Sequence, residues 1–397
     1  MTTPLSAQTI ALVKATIPAL AEHGPRITEA MYRRLFQDPE IARLFNQANQ
    51  RSGAQRFALA GAVLAYAQNI DNLGALAGAV ERIAQKHVGY AILPEHYPHV
   101  ATALLGAISE VLGDAATPEI LEAWGEAYWF LANILIAREG VLRDDLDAAP
   151  GGWTGWRRFV IAERRDESDT ITSFTLSPED GGKVIPHRPG QYLTLRFETA
   201  GLPGVIRNYS VSCAPNADHY RITVKREPQG EASRFLHDQL AVGAVLECTA
   251  PAGDFQLPSA PARPVVLLSG GVGLTPMVSM LAEIAGNHPD LAAYYIHGTT
   301  SRETHALDHE IRAFAQSHGQ TTVATFYERP APADNVNTGF VTMDWLHANV
   351  PLRSADIYLC GPKPFLRHFV GELAKAGVPA DRIHYEFFGP ADEVLAA

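Results

Sequence analysis

Cysteine is scarce in this chain. Its three cysteines, Cys213, Cys248 and Cys360, lie far apart and form no C-x-x-C pair. That argues against a zinc site or a thioredoxin-like motif, and an odd, sparse count suits a reducing cytoplasm. Basic charge is also short. Lys and Arg number 32 against 43 Asp and Glu, for a formal charge of −11. Nucleic acid and anionic membrane surfaces are therefore not expected as main partners. No apolar run reaches the ~20 residues a membrane helix needs. The start, MTTPLSAQTI, lacks the basic and apolar regions of a signal peptide. Internal repeats and low-complexity tracts are missing as well. A soluble cytoplasmic protein is expected, with no stable membrane insertion.

What is present is a globular composition: 397 residues, 47% hydrophobic and 19% charged. That length predicts two or three domains. The first ~140 residues read as successive helices. Ile10, Val13, Ile17 and Leu20 form one stripe, which His23-Gly24-Pro25 is expected to end. Thr28 is placed to cap a next helix carrying Met31, Tyr32, Leu35 and Phe36. Asp38-Pro39-Glu40 is a further start signal. Helices are expected over 54–70, 75–89, 95–112 and 118–139, with no strand alternation before residue 150.

A linker is expected over 141–152, centred on Asp147-Ala-Ala-Pro-Gly-Gly-Trp153. The hydrophobic period then changes to two. Leu193, Leu195 and Phe197 alternate with Tyr192, Thr194 and Arg196, and Ile222 and Val224 alternate in YRITVKRE. Short strands to about Pro258 suggest a small antiparallel barrel. From Pro264, PVVLLSG, AAYYIHG, TTVATFY, ADIYLCG and RIHYEFF alternate with helical stretches. Such alternation predicts a parallel sheet with helices on both faces.

Several short motifs carry chemistry. SGGVGLTPM (Ser269–Met277) follows an apolar strand and opens a helix, with Thr275 as a candidate N-cap and Pro276 at the first helical position. Glycines and free N–H groups at such a turn favour phosphate. It is not G-x-G-x-x-G. Cys360-Gly361-Pro362 ends a second strand of the same segment, and ligands of such sheets sit outside the carboxyl ends of strands. In the barrel segment, Arg188-Pro-Gly-Gln-Tyr192 precedes a strand, followed by Arg207-Asn-Tyr-Ser210 and Gly230-Glu-Ala-Ser233. An arginine and a tyrosine two apart on a strand share a face, where a guanidinium can hold phosphate and a ring can stack on a heterocycle. Taken alone, R-x-Y-S is equally an exposed strand with a hairpin turn.

In this order and spacing the motifs resemble the ferredoxin-reductase-like flavoprotein superfamily over about residues 153–397. The resemblance implies that Tyr192, Arg207, Tyr209 and Ser210 hold FAD, and that Gly230 and Ser233 contact its diphosphate. It implies that Gly271, Gly273, Thr275 and Pro276, with Cys360, Gly361 and Pro362, seat the nicotinamide nucleotide. The segment Tyr385-Glu-Phe-Phe-Gly-Pro390 resembles the family's closing stretch, which places Phe388 over the flavin. Phe387 stands where related sequences often have cysteine.

One stretch of the helical segment is unusual. In E-R-I-A-Q-K-H-V-G-Y, Val80, Ile83, Ala84 and His87 share one stripe. A buried imidazole needs a partner, since an unmade hydrogen bond costs about 1–3 kcal/mol. By itself the stretch reads as a core histidine bonded to a carbonyl or carboxylate, or as a metal ligand. A flavin reductase needs an electron acceptor, and an all-α domain fused to one makes haem a candidate. The arrangement resembles the flavohaemoglobin family over the whole chain. Matching strings are KATIP, Phe45-Asn-x-x-Asn-Gln-Arg51, Ile83-Ala-Gln-Lys-His87 and Trp124-Gly-x-Ala-Tyr128.

That resemblance implies a multidomain protein: a globin haem domain (1–140), a linker (141–152), an antiparallel β-barrel FAD domain (153–260) and an α/β NAD(P)H domain (261–397). It makes His87 the proximal iron ligand, Tyr97 and Glu139 its supports, Tyr32 and Gln55 the distal polar residues, and Phe45 and Leu59 pocket lining. The implied cofactors are haem b, FAD and NADH, with NADPH the alternative, and the implied partners are the small molecules O2 and NO. The implied activity is nitric oxide dioxygenation to nitrate. A haem-dependent hydroperoxide reductase and a diaphorase or ferric reductase are the competing readings. A monomer is expected. Arg302, in Thr299-Thr-Ser-Arg302, is either a 2′-phosphate ligand or an exposed loop charge.

Overall fold

The computed structural model describes residues 4–44, 54–199 and 202–388. Phe45 and the side chain of Gln55 lie outside the described residues. The chain forms two compact units, Met1–Ala148 with Gly204–Ile206, and Ala149–Pro203 with Arg207–Ala397.

The first unit is built from α1 (Ala7–Ala15), α2 (Ile17–Leu35), α3 (Pro39–Arg43), α4 (Ala54–Gln68), α5 (Ala77–Gly89), α6 (Tyr97–Leu112) and α7 (Pro118–Ala148). Its described residues up to Ala148 contain no strand. Ser6 caps α1 by accepting from the Thr9 N–H at 3.0 Å, and Asp38 caps α3 by accepting from the Glu40 N–H at 2.9 Å. The chain breaks at Thr16, and Pro18 enters the first turn of α2.

Here the structure corrects one expectation: His23-Gly24-Pro25 does not end a helix, and α2 runs through it. A proline inside a helix costs about 3 kcal/mol. The buried stripe of Leu20, Ile27, Met31 and Leu35 on the same helix contributes roughly 2 kcal/mol for each large side chain and outweighs it. Gly24 is buried on this helix and faces α4, where a Cβ would meet the Ala60 Cβ at an ordinary 3.4 Å. Thr28 caps nothing; its hydroxyl donates to the Pro25 carbonyl at 3.1 Å.

A second correction concerns the linker. α7 continues through Ala148, and the connection begins only at Ala149-Pro150. Leu142 packs beside Leu135 in the small cluster behind α5, which extends the helix's apolar stripe past Glu139.

The second unit holds two sheets. One comprises β1 (Arg157–Asp166), β2 (Ile171–Pro178), β3 (Tyr192–Thr199), β4 (Leu202–Ser210), β5 (Tyr220–Lys225) and β6 (Val245–Cys248), in the order β4-β3-β6-β1-β2-β5, with α8 (Glu231–Gln239) between β5 and β6. Leu193, Leu195 and Phe197 are buried, as their alternation predicts. An antiparallel bridge between Val211 and Ile222 ties the end of β4 to β5, so the two edges meet.

The other sheet follows from β7 (Val265–Gly270), α9 (Leu274–Asn287), β8 (Ala293–Thr299), α10 (Asp308–Ser317), β9 (Thr321–Tyr327), β10 (Asn337–Thr338), α11 (Met343–Asn349), β11 (Asp356–Cys360), α12 (Lys363–Lys375) and β12 (Ile383–Glu386). Its strands are parallel, in the order β10-β9-β8-β7-β11-β12. β7 is central and buried on both faces. Val265 and Leu267 pack with α9 and α10, while Val266 and Leu268 pack with α11 and α12. Polar contacts join the two sheet segments, among them His187 Nε2 at 2.8 Å from Ser279 Oγ, a two-pronged Arg221–Glu310 pair at 2.7 and 3.0 Å, and the Asp169 N–H donating to the Glu303 carbonyl at 3.0 Å. No helix among the described residues is long and apolar enough to cross a membrane.

Candidate functional site

His87 lies in the last turn of α5, and local chemistry sets that end. The Ile92 N–H donates to the His87 carbonyl at 2.9 Å, and the Ala91 N–H to the Val88 carbonyl at 3.0 Å. This is a Schellman termination, with Ala91 in the left-handed conformation at φ 54°. The His87 ring is anchored through Nδ1, 2.8 Å from Glu139 Oε1 and 3.0 Å from the Tyr97 hydroxyl. The Tyr97 O–H donates to the same Glu139 oxygen at 2.5 Å. Glu139 is fully buried on α7. A carboxylate acceptor at Nδ1 fixes the ring proton there and leaves the Nε2 lone pair available. No described residue hydrogen-bonds to Nε2, and the His87 side chain is 32% exposed beside the buried Glu139. An imidazole held from behind and open in front fits a haem ligand.

Burial and the carboxylate together push the Tyr97 phenol far above its ordinary range, so it stays a donor. Sequence reasoning missed a fourth member, Arg143. Its guanidinium lies 3.3 Å from Glu139 Oε2 and also bonds the Ile92 carbonyl. The signal was available, because Arg143 stands four residues after Glu139 on one helix.

The other polar candidate of this unit, Tyr32, is buried on α2 with its ring stacked on Phe36 at 5.5 Å. Leu59 on α4 packs against the same core. Gln55 lies on α4.

In the second unit, Arg207, Tyr209 and Ser210 end β4. Strand alternation puts Arg207 and Tyr209 on one face. Ser210 is buried and its Oγ has no partner among the described residues, a group that a bound flavin would satisfy. Tyr192 opens β3, with its backbone bonded to Ala252 in both directions. Gly230 is the N-cap of α8, and the Ser233 hydroxyl accepts from the Glu227 N–H at 3.1 Å. No side chain caps the start of α8, and helix starts favour phosphate groups.

The glycine-rich turn fits a nucleotide through close backbone approach. Gly271 has φ +55° and open space around it. A Cβ on Gly273 would lie 2.1 Å from the Cys360 carbonyl oxygen, so the ends of β7 and β11 touch only because residue 273 is glycine. Gly361 and Pro362 lead from that contact into α12. Thr275 does not cap. Gly273 is the N-cap of α9, and the Thr275 hydroxyl donates to the Val272 carbonyl at 3.1 Å. The two glycines make a short 3₁₀ turn that starts the helix earlier than the Thr-Pro pair suggested. Thr275 and Pro276 are buried, and so is the Cys360 thiol, within the core beside α9.

Phe388 is half-exposed, whereas Phe387 packs on the core beside β12. Glu386 was missed by sequence reasoning. It pairs in register with Cys360, and its Oε2 is buried without a partner among the described residues. Burial, with Asp254 nearby, pushes its carboxyl up to about 8.

Family models match all three segments: Globin over residues 28–135, Oxidoreductase FAD-binding domain over 158–257 and Oxidoreductase NAD-binding domain over 267–370. The flavohemoprotein of Xylella fastidiosa (strain 9a5c) is 64% identical over 397 residues, covering 100% of both chains. The crystal structure of flavohemoglobin from Malassezia yamatoensis with bound FAD and heme is similar at TM-score 0.87 and 28% identity, covering 98% of this chain and 100% of that one. The FAD/NAD binding domain of nitric oxide dioxygenase from Vibrio cholerae is similar at TM-score 0.55 and 38% identity, covering 59% of this chain and 99% of that one. This is an oxidoreductase chain, with haem, FAD and a nicotinamide nucleotide as its cofactors. An imidazole backed by a carboxylate in a globin, joined to a flavin and nucleotide module and matched at 64% identity along its whole length, makes the chain a member of the flavohemoprotein family.

Proposed function

We propose that this protein is a nitric oxide dioxygenase, using NAD(P)H electrons to convert nitric oxide and O2 to nitrate, and so detoxifies nitric oxide. The observation that carries the reading is the Glu139–His87 pair at 2.8 Å. A carboxylate on the rear nitrogen makes the imidazole a stronger donor, which favours oxygen activation over storage. When bound, the cofactors supply the redox chemistry: hydride acceptance and single-electron delivery by FAD, oxygen binding and nitrate formation at the haem.

The chain's residues do the rest. His87 would hold the haem iron through Nε2. Glu139 holds the Nδ1 proton, Tyr97 orients Glu139, and Arg143 moderates its charge. Tyr32 would offer an O–H donor to the haem-bound ligand and Leu59 an apolar wall beside it, and the family resemblance assigns Gln55 and Phe45 to the same pocket. Arg207, Tyr209 and Ser210 grip the flavin, with Tyr192, Gly230 and Ser233 completing its site. The turn at Gly271 and Gly273, backed by Thr275, Pro276 and the Cys360-Gly361-Pro362 crossing, seats the nucleotide, and Phe388 covers the flavin.

The test is steady-state turnover of the cofactor-loaded protein with NADH, O2 and nitric oxide, compared with cumene hydroperoxide. Fast nitrate formation with slow peroxide turnover supports the reading. Peroxide turnover as fast as that of nitric oxide would replace it with a hydroperoxide reductase.

A further inference from the structure

The nucleotide site contains a charge pair that neither the family assignment nor the proposed reaction uses. Arg302 follows β8, the strand beside β7 and its glycine-rich turn. In doubly wound sheets the adenosine ribose rests at the end of this second strand. There an acidic group accepts from the 2′-hydroxyl of NADH, or an arginine receives the 2′-phosphate of NADPH.

Here both groups are present, and they bind each other. Arg302 Nε donates to Asp334 Oδ1 at 2.7 Å. Asp334 is the fixed partner. Its side chain is 3% exposed against 67% for Arg302. Its Oδ2 accepts from the Ala331 N–H at 2.8 Å, and its own N–H returns to the Ala331 carbonyl at 2.9 Å. The turn that carries Arg302 is equally fixed. Thr304 Oγ1 bonds the Ser301 N–H and carbonyl at 3.1 and 2.9 Å. Backbone bonds from Glu328 and Arg329 to Thr299 and Thr300 tie the ends of β9 and β8 together.

We propose that Asp334 is the nucleotide-selectivity residue of this protein. It occupies Arg302 and places a carboxylate at the ribose, so that the site takes a 2′-hydroxyl and rejects a 2′-phosphate. A phosphate carrying nearly two negative charges meets repulsion from Asp334 and finds the Arg302 charge already countered. A 2′-hydroxyl carries no charge and meets no such repulsion. The proposal rests on the NAD-binding domain and not on nitric oxide chemistry, so its failure leaves the dioxygenase reading untouched.

The experiment uses the full-length, cofactor-loaded protein with ferricyanide as electron acceptor. It compares kcat/KM for NADH and NADPH, and the inhibition constant of 2′,5′-ADP against NADH. Asp334→Asn keeps an oxygen for the Ala331 N–H but loses the charge. It is expected to raise the NADPH-to-NADH ratio of kcat/KM at least tenfold and to tighten 2′,5′-ADP inhibition by a similar factor. Adding Arg302→Ala should reverse both gains. Arg302→Ala alone should change 2′,5′-ADP inhibition less than threefold, because Arg302 is already engaged. Flavin content measured on each variant separates misfolding from selectivity. An unchanged ratio in a flavin-replete Asp334→Asn protein overturns the proposal. So does a tenfold loss of 2′,5′-ADP inhibition in Arg302→Ala alone, which would show Arg302 free to bind phosphate.

Discussion

Replacing Glu139 with glutamine isolates the charge behind His87 while keeping the shape. Glu139 Oε1 accepts from the His87 ring at 2.8 Å and from Tyr97 at 2.5 Å, and Oε2 faces Arg143 at 3.3 Å. A glutamine cannot serve all three. Its NH2 must face either the donors His87 and Tyr97 or the donor Arg143, and one buried donor contact is lost for about 1–3 kcal/mol of stability. The redox effect has a definite sign. An anionic acceptor stabilises the more positive ferric state, so its removal raises the haem potential. A hydrogen bond to a charged group is worth about 1.5–3 kcal/mol and a neutral one about 0.5–1.5. The difference is about 1–1.5 kcal/mol. For a one-electron couple, about 1.4 kcal/mol corresponds to about 59 mV. The Glu139→Gln haem potential should therefore rise by about 40–60 mV in a spectroelectrochemical titration, and the iron–imidazole stretch should fall in frequency. Tyr97→Phe and Arg143→Met remove groups that draw on the Glu139 charge, so both should move the potential the other way. A haem-replete Glu139→Gln protein whose potential stays within about 10 mV of the parent would refute the reasoning, as would shifts of one sign in all three variants.

Further outcomes follow from the same structure. His87→Ala should lose specific haem binding yet keep flavin-dependent ferricyanide reduction; a normal haem spectrum in that variant would remove His87 as the ligand. Ala91→Gly should raise stability by about 1 kcal/mol in denaturant unfolding, because Ala91 holds a left-handed conformation that glycine adopts without strain. A destabilised variant would show that the Ala91 methyl contributes more than its backbone costs. His187 and His305 are buried and depressed to about 4. The unfolded chain takes up protons first, so their contribution is complete above about 6.5 and is lost as pH falls toward 4, at about 1.4 kcal/mol per pH unit for each. Glu386, raised to about 8, opposes this between its ordinary value and 8, where stability falls as pH rises. His187→Gln should flatten the acid limb of unfolding free energy against pH, and an unaltered slope would dismiss His187 from it.

Much of this arrangement was legible in the sequence because the signals were local. β7 reads as an unbroken apolar run since both its faces are covered. Asp38 marks a helix start with its own side chain. His87 stood out as an imidazole on an apolar stripe, and only the fold brings Tyr97 and Glu139 to its rear nitrogen. The misreadings share a cause: tertiary packing overrode local punctuation. Gly24-Pro25 looks like a stop, but the buried stripe of α2 runs through it from Leu20 to Leu35. The Asp-rich end of α7 looks like a linker, but Leu142 still has a core to join. Thr275 looks like a cap until Gly273 is seen against Cys360. Arg143 was readable only once Glu139 was placed four residues before it on one helix, whereas Glu386 carries no motif and only the folded chain buries it.

The central claim is electron delivery from nicotinamide to an oxygen-activating haem on one chain. The direct measurement mixes cofactor-loaded protein with NADH anaerobically, follows flavin and haem absorbance, then admits O2 and nitric oxide and counts nitrate. The account predicts flavin bleaching, then haem reduction, then about two nitrates per NADH, because a hydride carries two electrons and each nitrate requires one. Flavin bleaching with an unchanged haem spectrum, or NADH oxidation without nitrate, would contradict it.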